Sequence, residues 1–514
     1  MIFMNALNSR CMNRVRHIFI VILTALCCQV TLSAQTFESV VRHNLWSGST
    51  NVTGIRQDSV SRSYAALHGG YETGGFRDTW QASEGWSAGA VTESIRHMEK
   101  MSLIGSFSFK QNEGYGMCGS MFIEPGYYPV DVLEFTPGRK TLQTYAFTGG
   151  ISYDVAPDWR IGAKMDFESA NIAKRKDLRH SNWKLDMTFA PGFMYLSDEW
   201  SVGAAALLGK TSETINAEQI GISESSYYAF FDKGLMYGVH QVWTGSGVHL
   251  DEAGVNGLPV KEGIYGGSVQ FQRGSFFADF ELKASEGSVG EKEYIWFDFS
   301  GLSYGVGMQY RKSSKGGDHY FRLNFDMKSQ NLQESVLEKV SENGVITVLD
   351  HGRNSIFARE TISFAPEYEY VSEKVEVLAS MIFCTENGLA SQMYPYVSGR
   401  SVDNIAAGVD ALFHVGRFDL GAGLKYGKGA VAEVDYVVEA MQGAVSSPYR
   451  LQEWYDRQME YLTAPRIEAG LSARWNFAKG IYVEAAGRFV HGFNLSHFAS
   501  ADRISATMTL GYEF

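Results

Sequence analysis

Ile504-Ser-Ala-Thr-Met-Thr-Leu-Gly-Tyr-Glu-Phe514, the last stretch of the chain, decides how the rest is read. Ile504, Ala506, Met508, Leu510, Tyr512 and Phe514 are apolar at every second position, and Ser505, Thr507, Thr509, Gly511 and Glu513 fill the alternate ones. Successive side chains of a strand point to opposite faces, so this segment has one apolar and one polar face. The same pattern recurs upstream. Ile161, Ala163, Met165 and Phe167 interleave with Gly162, Lys164, Asp166 and Glu168; Phe321, Leu323, Phe325 and Met327 with Arg322, Asn324, Asp326 and Lys328; Ile467 to Phe477 with Glu468, Gly470, Ser472 and Arg474. Soluble sandwich strands also alternate, but a polar face carrying this many charges of both signs fits the inside of a closed barrel better.

A terminal strand ending on Phe514, with Tyr512 two positions earlier, resembles the C-terminal insertion signal read by the outer-membrane barrel-assembly machinery. The front end agrees with it. Arg10, Arg14 and Arg16 precede an apolar run from Ile18 to Cys28, and small residues stand at Ser33 and Ala34. These are the parts of a secretory signal, with cleavage expected after Ala34. About eleven apolar residues are too few for a membrane anchor, which needs roughly 20. Leu26 before Cys27 argues against a lipid-modified cysteine.

Charge and cysteine usage narrow the function classes. The chain carries 45 Lys and Arg against 57 Asp and Glu. Loss of the three arginines in 1–34 leaves 42 against 57, an acidic secreted protein without the clustered bases that nucleic acid requires. Cys118 and Cys384 remain after cleavage. Two cysteines form neither a disulfide framework nor a zinc site, and unpaired thiols or a single bridge stay open. No later run is apolar enough for a transmembrane helix. The alternative spanning structure is a closed barrel, in which every backbone group pairs between strands.

The expected fold is therefore all-β: a transmembrane antiparallel β-barrel of about 18 strands, with 14–18 compatible with the uncertainty of strand ends. Tight reversals recur at Ala156-Pro-Asp-Trp159, Ser197-Asp-Glu-Trp200, Arg273-Gly-Ser275, Lys315-Gly-Gly-Asp318, Val371-Ser-Glu-Lys374, Val415-Gly-Arg417 and Phe477-Ala-Lys-Gly480. Longer connections are expected at 115–139, 215–261, 332–355, 386–401 and 429–460. The short turns belong in the periplasm and the long loops outside the cell. The division is then 1–34 signal peptide, 35–60 an N-terminal periplasmic or lumenal segment, and 61–514 barrel. Ser446-Ser447-Pro448 opens a helix in the 429–460 loop, with Ser as cap and Pro at the first helical position. Its stripe of Leu451, Trp454, Tyr455, Gln458, Met459 and Leu462 is expected to pack on the barrel mouth.

At this point the chain resembles an uncharacterised outer-membrane β-barrel family of Bacteroidota. The residues that carry the resemblance are Asn44-Leu-Trp-Ser-Gly-Ser-Thr-Asn-Val-Thr-Gly54, Ser106-Phe-Ser-Phe109 with Gly114-Tyr-Gly-Met117, Ala170-Asn-Ile-Ala-Lys-Arg-Lys-Asp-Leu-Arg179 and the terminal strand. The resemblance implies a fold and an outer-membrane location in a Gram-negative bacterium, and no functional residues. The chain lacks the Asn-Pro-Ala that outer-membrane fatty-acid transporters usually show near the mature N-terminus.

Nothing in the sequence assembles catalytic, cofactor or metal chemistry. Lys425-Tyr-Gly-Lys428 after Gly421 and Gly423 has the wrong spacing for a phosphate loop and sits inside a strand pattern. The histidines have no metal-binding spacing. His491 and His497 beside Ser496 and Asp502 read as solvated loop residues, and an enzyme is not expected. Lys174-Arg175-Lys176-Asp177 with Arg179 and His180 reads as a basic loop tip, facing lipopolysaccharide phosphates or simply solvated. The candidate lumen-facing residues are Lys164, Asp166, Glu168, Arg322, Asp326, Lys425, Glu468 and Arg474. The leading function is a porin-like channel or uptake-associated barrel for small polar solutes, partnered by outer-membrane lipid and by an energy-coupled outer-membrane transporter. The alternative is a surface assembly or docking component with a loop-plugged lumen.

Overall fold

The computed structural model of the protein describes residues 37–46, 48–57, 60–218, 229–235, 240–243, 255–291, 294–393, 396–436 and 451–514. The expected signal peptide and the Ser446-Ser447-Pro448 helix start lie outside the described residues. The strands are β1 (Arg62–Gly74), β2 (Glu84–His97), β3 (Met101–Ser120), β4 (Asp131–Ala156), β5 (Trp159–Lys174), β6 (Arg179–Leu196) and β7 (Trp200–Glu218). Two short strands follow, β8 (Ala229–Asp232) and β9 (His240–Trp243), and then β10 (Val255–Arg273), β11 (Phe276–Glu291), β12 (Tyr294–Ser314) and β13 (Gly317–Glu342). The rest are β14 (Val345–Val371), β15 (Val375–Met393), β16 (Tyr396–Val415), β17 (Phe418–Tyr436), β18 (Arg466–Ala478), β19 (Ile481–Gly492) and β20 (Asp502–Glu513).

Each strand pairs antiparallel with its chain neighbour, with β7 joining directly to β10. β1 then pairs with β20 from Tyr64↔Glu513 to Gly74↔Arg503, which closes the sheet. β8 and β9 stand outside this circuit, β8 pairing with the start of β4, so 18 of the 20 strands among the described residues form an antiparallel barrel. Closure leaves no free edge through the wall. The seven tight reversals expected from sequence all lie at one end, the turn end, together with the β2–β3 turn.

The outer face has the layering that lipid demands. At the turn end Trp159 packs on Tyr195 and Tyr195 on Trp200, Phe321 lies against Tyr310 and Tyr368, Phe418 against Trp475, and Tyr512 against Phe514. Higher up, Tyr71, Trp86, Tyr145, Trp183, Tyr265 and Tyr426 are exposed on the same face. Between the two bands stand exposed Met165, Met187, Leu208, Val269, Leu424, Leu471 and Met508. An apolar belt flanked by aromatic girdles is the exterior of a barrel in a bilayer.

Two expected loops are strand instead. A connection is expected at 332–355, but β13 runs 26 residues and β14 27, joined by a tight Asn343-Gly344 turn with both residues at positive φ. Residues 386–401 are likewise mostly β15 and β16. A bilayer needs only about 9–11 residues per strand, so these hairpins rise far above it and lose the one-sided apolar pattern there. Register shifts at Leu332/Gln333 and Ser335/Leu337 also break the period of two.

Candidate functional site

The site is the barrel interior, and among the described residues three segments stand out in it. The first is the N-terminal segment. Its short helix Phe37–His43 sets Phe37 on Tyr64, with ring centroids 4.9 Å apart, and His43 on Tyr320 at 4.6 Å. Trp46 then packs on Phe277 and donates its indole N–H to Gln272 at 2.5 Å. Asn51 donates to Phe193 O at 3.0 Å, to Ala204 O at 3.3 Å and to Gln270 Oε1 at 3.0 Å. Arg56 reaches Asp154 at 2.7 Å and the Met98 and Glu99 carbonyls at the β2–β3 turn. The partners come from β1, β13, β11, β10, β6, β7 and β4, so the segment crosses the lumen at the turn end. Gly192 and Gly203 make room for it, since a Cβ at either would stand 2.5–2.6 Å from the Asn51 amide.

The second segment is the β3–β4 connection, residues 121–130, which turns inward at the loop end. Asn182 donates to Met121 O at 2.7 Å, Ile123 N to Glu213 at 2.9 Å, Tyr127 to Glu262 at 2.8 Å, and Arg359 to Gly126 O at 2.8 Å. These partners on β6, β7, β10 and β14 show that the connection spans the mouth. Its Met121, Phe122, Tyr128 and Val130 join Phe231, Leu258, Phe297, Leu332 and Phe357 in one buried apolar cluster. The third segment is the Leu451–Thr463 helix, packed at the mouth as its sequence stripe implies. Trp454 stacks on Phe135 at 5.2 Å, and Gln458 donates to Asp78 at 2.8 Å. Burial raises the Asp78 carboxyl to about 7, against the hydrogen bonds from Gln458 and Thr79 that favour its ionised form.

The eight candidate lumen residues sit at several levels of the wall. Lys164 is 3.1 Å from Asp166, which also accepts from Thr148 at 2.7 Å. Arg322 pairs with Glu369 at 2.7 Å and donates to Arg42 O at 3.2 Å, so it clasps the N-terminal segment. Arg474 meets Glu513 at 2.6 Å and lies over the Tyr482 ring at 3.5 Å. Glu468 pairs with Arg488 at 2.5 Å near the opposite end of β18. Lys425 is in register with Glu468 across β17 and β18. Glu168 faces Ala146 across β4 and β5, and Asp326 lies beside Gly305 of β12. Arg322 and Arg474 are brought to the turn end, whereas Glu468 and Lys425 are not.

Sequence reasoning missed the polar anchors of the N-terminal segment: Gln270, Gln272, Glu281, which accepts from Thr50, and Glu369. Alternation with Val269, Phe280 and Tyr368 marks the same face and was the available signal. The basic group at 174–180 divides: Arg175 and Lys176 are exposed at the tip, whereas Lys174 and His180 are not. Lys174 is buried on Glu134, and His180 is buried beside Asn182. His491 pairs with Asp502 at 2.6 Å, and His497 N donates to Glu460 at 2.7 Å. Cys118 and Cys384 are free thiols.

Space remains between the segments. A cavity of about 460 Å³ lies beneath Phe122 and Ile123, between β20 and β5. A second of about 300 Å³ is lined by His68, Arg474, Glu484, Thr507 and Phe37. A third of about 200 Å³ lies on the N-terminal segment beside Glu93, His97, Thr148 and Lys164.

The sequence model of a family of unknown function, DUF6850, matches residues 52–514. The chain belongs to this family. No curated protein matches the sequence. Among solved structures, the chain is similar to BauA, the ferric preacinetobactin receptor of Acinetobacter baumannii, at 7% identity and TM-score 0.41, covering 89% of this chain and 80% of that one. The copper transporter OprC matches at 8% identity and TM-score 0.43, covering 88% and 80%. A deletion mutant of the monoaromatic hydrocarbon channel TodX matches at 11% identity and TM-score 0.33, covering 93% and 95%.

Proposed function

We propose that this family member is an outer-membrane channel for small polar solutes, closed at rest by its own N-terminal segment. The turn end faces the periplasm and the long connections face outward. The observation that carries the reading is the stopper. Residues 37–46 and 48–57 cross the lumen and are held by side-chain hydrogen bonds and ion pairs, with cavities lined by both signs of charge beside them. Such bonds exchange with water at small net cost, so the segment is separable from a wall that cannot itself open. An energy-coupled outer-membrane transporter is the partner expected to use such a pore.

Single-channel recording tests this reading. The full chain is expected to conduct weakly, and a variant lacking 35–60 to conduct with little preference between cations and anions. Shortening 429–460 is expected to raise conductance further. The docking alternative is favoured by the buried apolar cluster at the mouth, which is built like a folded core and not like a hinge. A barrel that stays silent after both changes supports docking and defeats the channel.

A further inference from the structure

We infer that the solute path runs off-centre, along the wall from β18 to β5, and that the ring of Phe37 is its gate. This rests on the channel reading and adds its route, its constriction and the class of solute.

The three cavities are not independent. Thr507 lines both the 460 Å³ and the 300 Å³ cavity, and Phe37 lines both the 300 Å³ and the 200 Å³ cavity. They form a staircase from beneath the inserted 121–130 connection to the turn end, and the last step passes Phe37. That ring is 4% exposed, set against Tyr64 and Ala66 of β1 with Val91 and Ile95 of β2 around it. It is an apolar partition between two spaces whose linings mix polar and apolar side chains. A dry aromatic contact across a wet path is a barrier to anything that must keep its hydration. It is also reversible, because no covalent or ionic tie holds the ring.

The charged groups along the staircase come in pairs of opposite sign. Glu72 pairs with Arg503 at 2.9 Å beside the first cavity, Arg474 with Glu513 at 2.6 Å beside the second, and Lys164 with Asp166 at 3.1 Å beside the third. The linings themselves hold both signs: Lys110 and Lys140 with Glu72 and Glu113 in the first cavity, Arg474 with Glu484 and Glu513 in the second, and Lys164 with Glu93 in the third. That arrangement suits small zwitterionic or neutral polar solutes carrying both donors and acceptors. It gives a simple anion or cation no advantage, because each charge is already matched. The smallest cavity sets the size at that of an amino acid or small sugar, since each water in the liquid occupies about 30 Å³.

Full-length Phe37→Ala in planar bilayers tests the gate. Thr509→Cys, in the middle cavity, and Ser363→Cys, on β14 across the barrel, test the route. All are made in a Cys384→Ser background and labelled with a bulky methanethiosulfonate. The expected result is at least a several-fold rise in conductance for Phe37→Ala, blocked by the label at 509 and little affected by the label at 363. Equal block from both positions overturns the off-centre route. An unchanged conductance for Phe37→Ala, with an open pore after removal of 35–60, overturns the gate and leaves the channel reading intact. Silence in every variant, including the one without 35–60, overturns both. Heat-modifiable mobility of each variant separates a closed pore from an unfolded one.

Discussion

The amide of Asn51 donates to Gln270 Oε1 at 3.0 Å, joining the N-terminal segment to β10 across 219 positions of sequence. Gln270 is itself fully buried and donates to Ser268 at 2.7 Å and Asp279 at 3.1 Å. The wall is therefore hydrogen-bonded to receive this one side chain.

Asn51→Ala removes three donated bonds and leaves Gln270 Oε1 without that partner. Loosening of the segment by about 1–3 kcal/mol is expected, the cost of an unsatisfied buried group. Hydrogen exchange should then quicken in residues 44–57 while the β10 and β7 amides keep their protection. Unchanged protection throughout would mean that the segment is held elsewhere.

Deleting Phe514 is expected to lower outer-membrane assembly sharply without affecting export. Its backbone closes the seam, with Phe514 N donating to Ser63 O at 2.9 Å and Ser63 N to Phe514 O at 3.0 Å, and its ring packs on Tyr512 at 5.4 Å. Signal and seam are thus lost together. Normal amounts of heat-modifiable protein in the membrane fraction would refute the role.

Leu471→Arg and Ser472→Arg should part company. Leu471 is 70% exposed on the lipid face, and Ser472 is its neighbour on the other. Near the midplane the first costs roughly 2–4 kcal/mol and the second little. Equal urea midpoints in lipid would show that the faces are wrongly assigned.

The attachment of the 451–463 helix should weaken as pH rises from about 4 to about 7. Asp78 is raised to about 7 in the folded protein, so in that window the detached state has released a proton that the attached state retains. Stability is full below the ordinary carboxyl value and lost as pH passes through the raised one. Protease protection of the helix measured against pH checks this, and Asp78→Asn should flatten the curve.

The wall was legible because lipid on one side and water on the other impose a period of two. That one constraint marked the strands, the turns and the parity of Arg474 and Leu471. It failed above the belt, where β13 and β14 meet water on both faces; there the Asn343-Gly344 pair, a hairpin signal, was the remaining mark. The N-terminal segment was legible as periplasmic or lumenal, but what holds it was not. Asn44 to Gln57 has no periodicity, and its partners on β4, β6, β10 and β11 are set by the closed circuit and by no local pattern. The same holds for Lys174, whose place on Glu134 depends on how far β4 and β5 rise together.

The long hairpins have a consequence for how the molecule comes apart. The lipid belt gains nothing from hydrophobic contact between protein groups, since acyl chains are as apolar as the side chains they meet. The cluster of Met121, Phe231, Phe297 and Phe357 lies above that belt and answers to water. One chain thus lives in two solvents. Urea should loosen the cap at concentrations that leave the wall intact, and cooling should weaken the cap while the backbone-paired cylinder beneath it is spared.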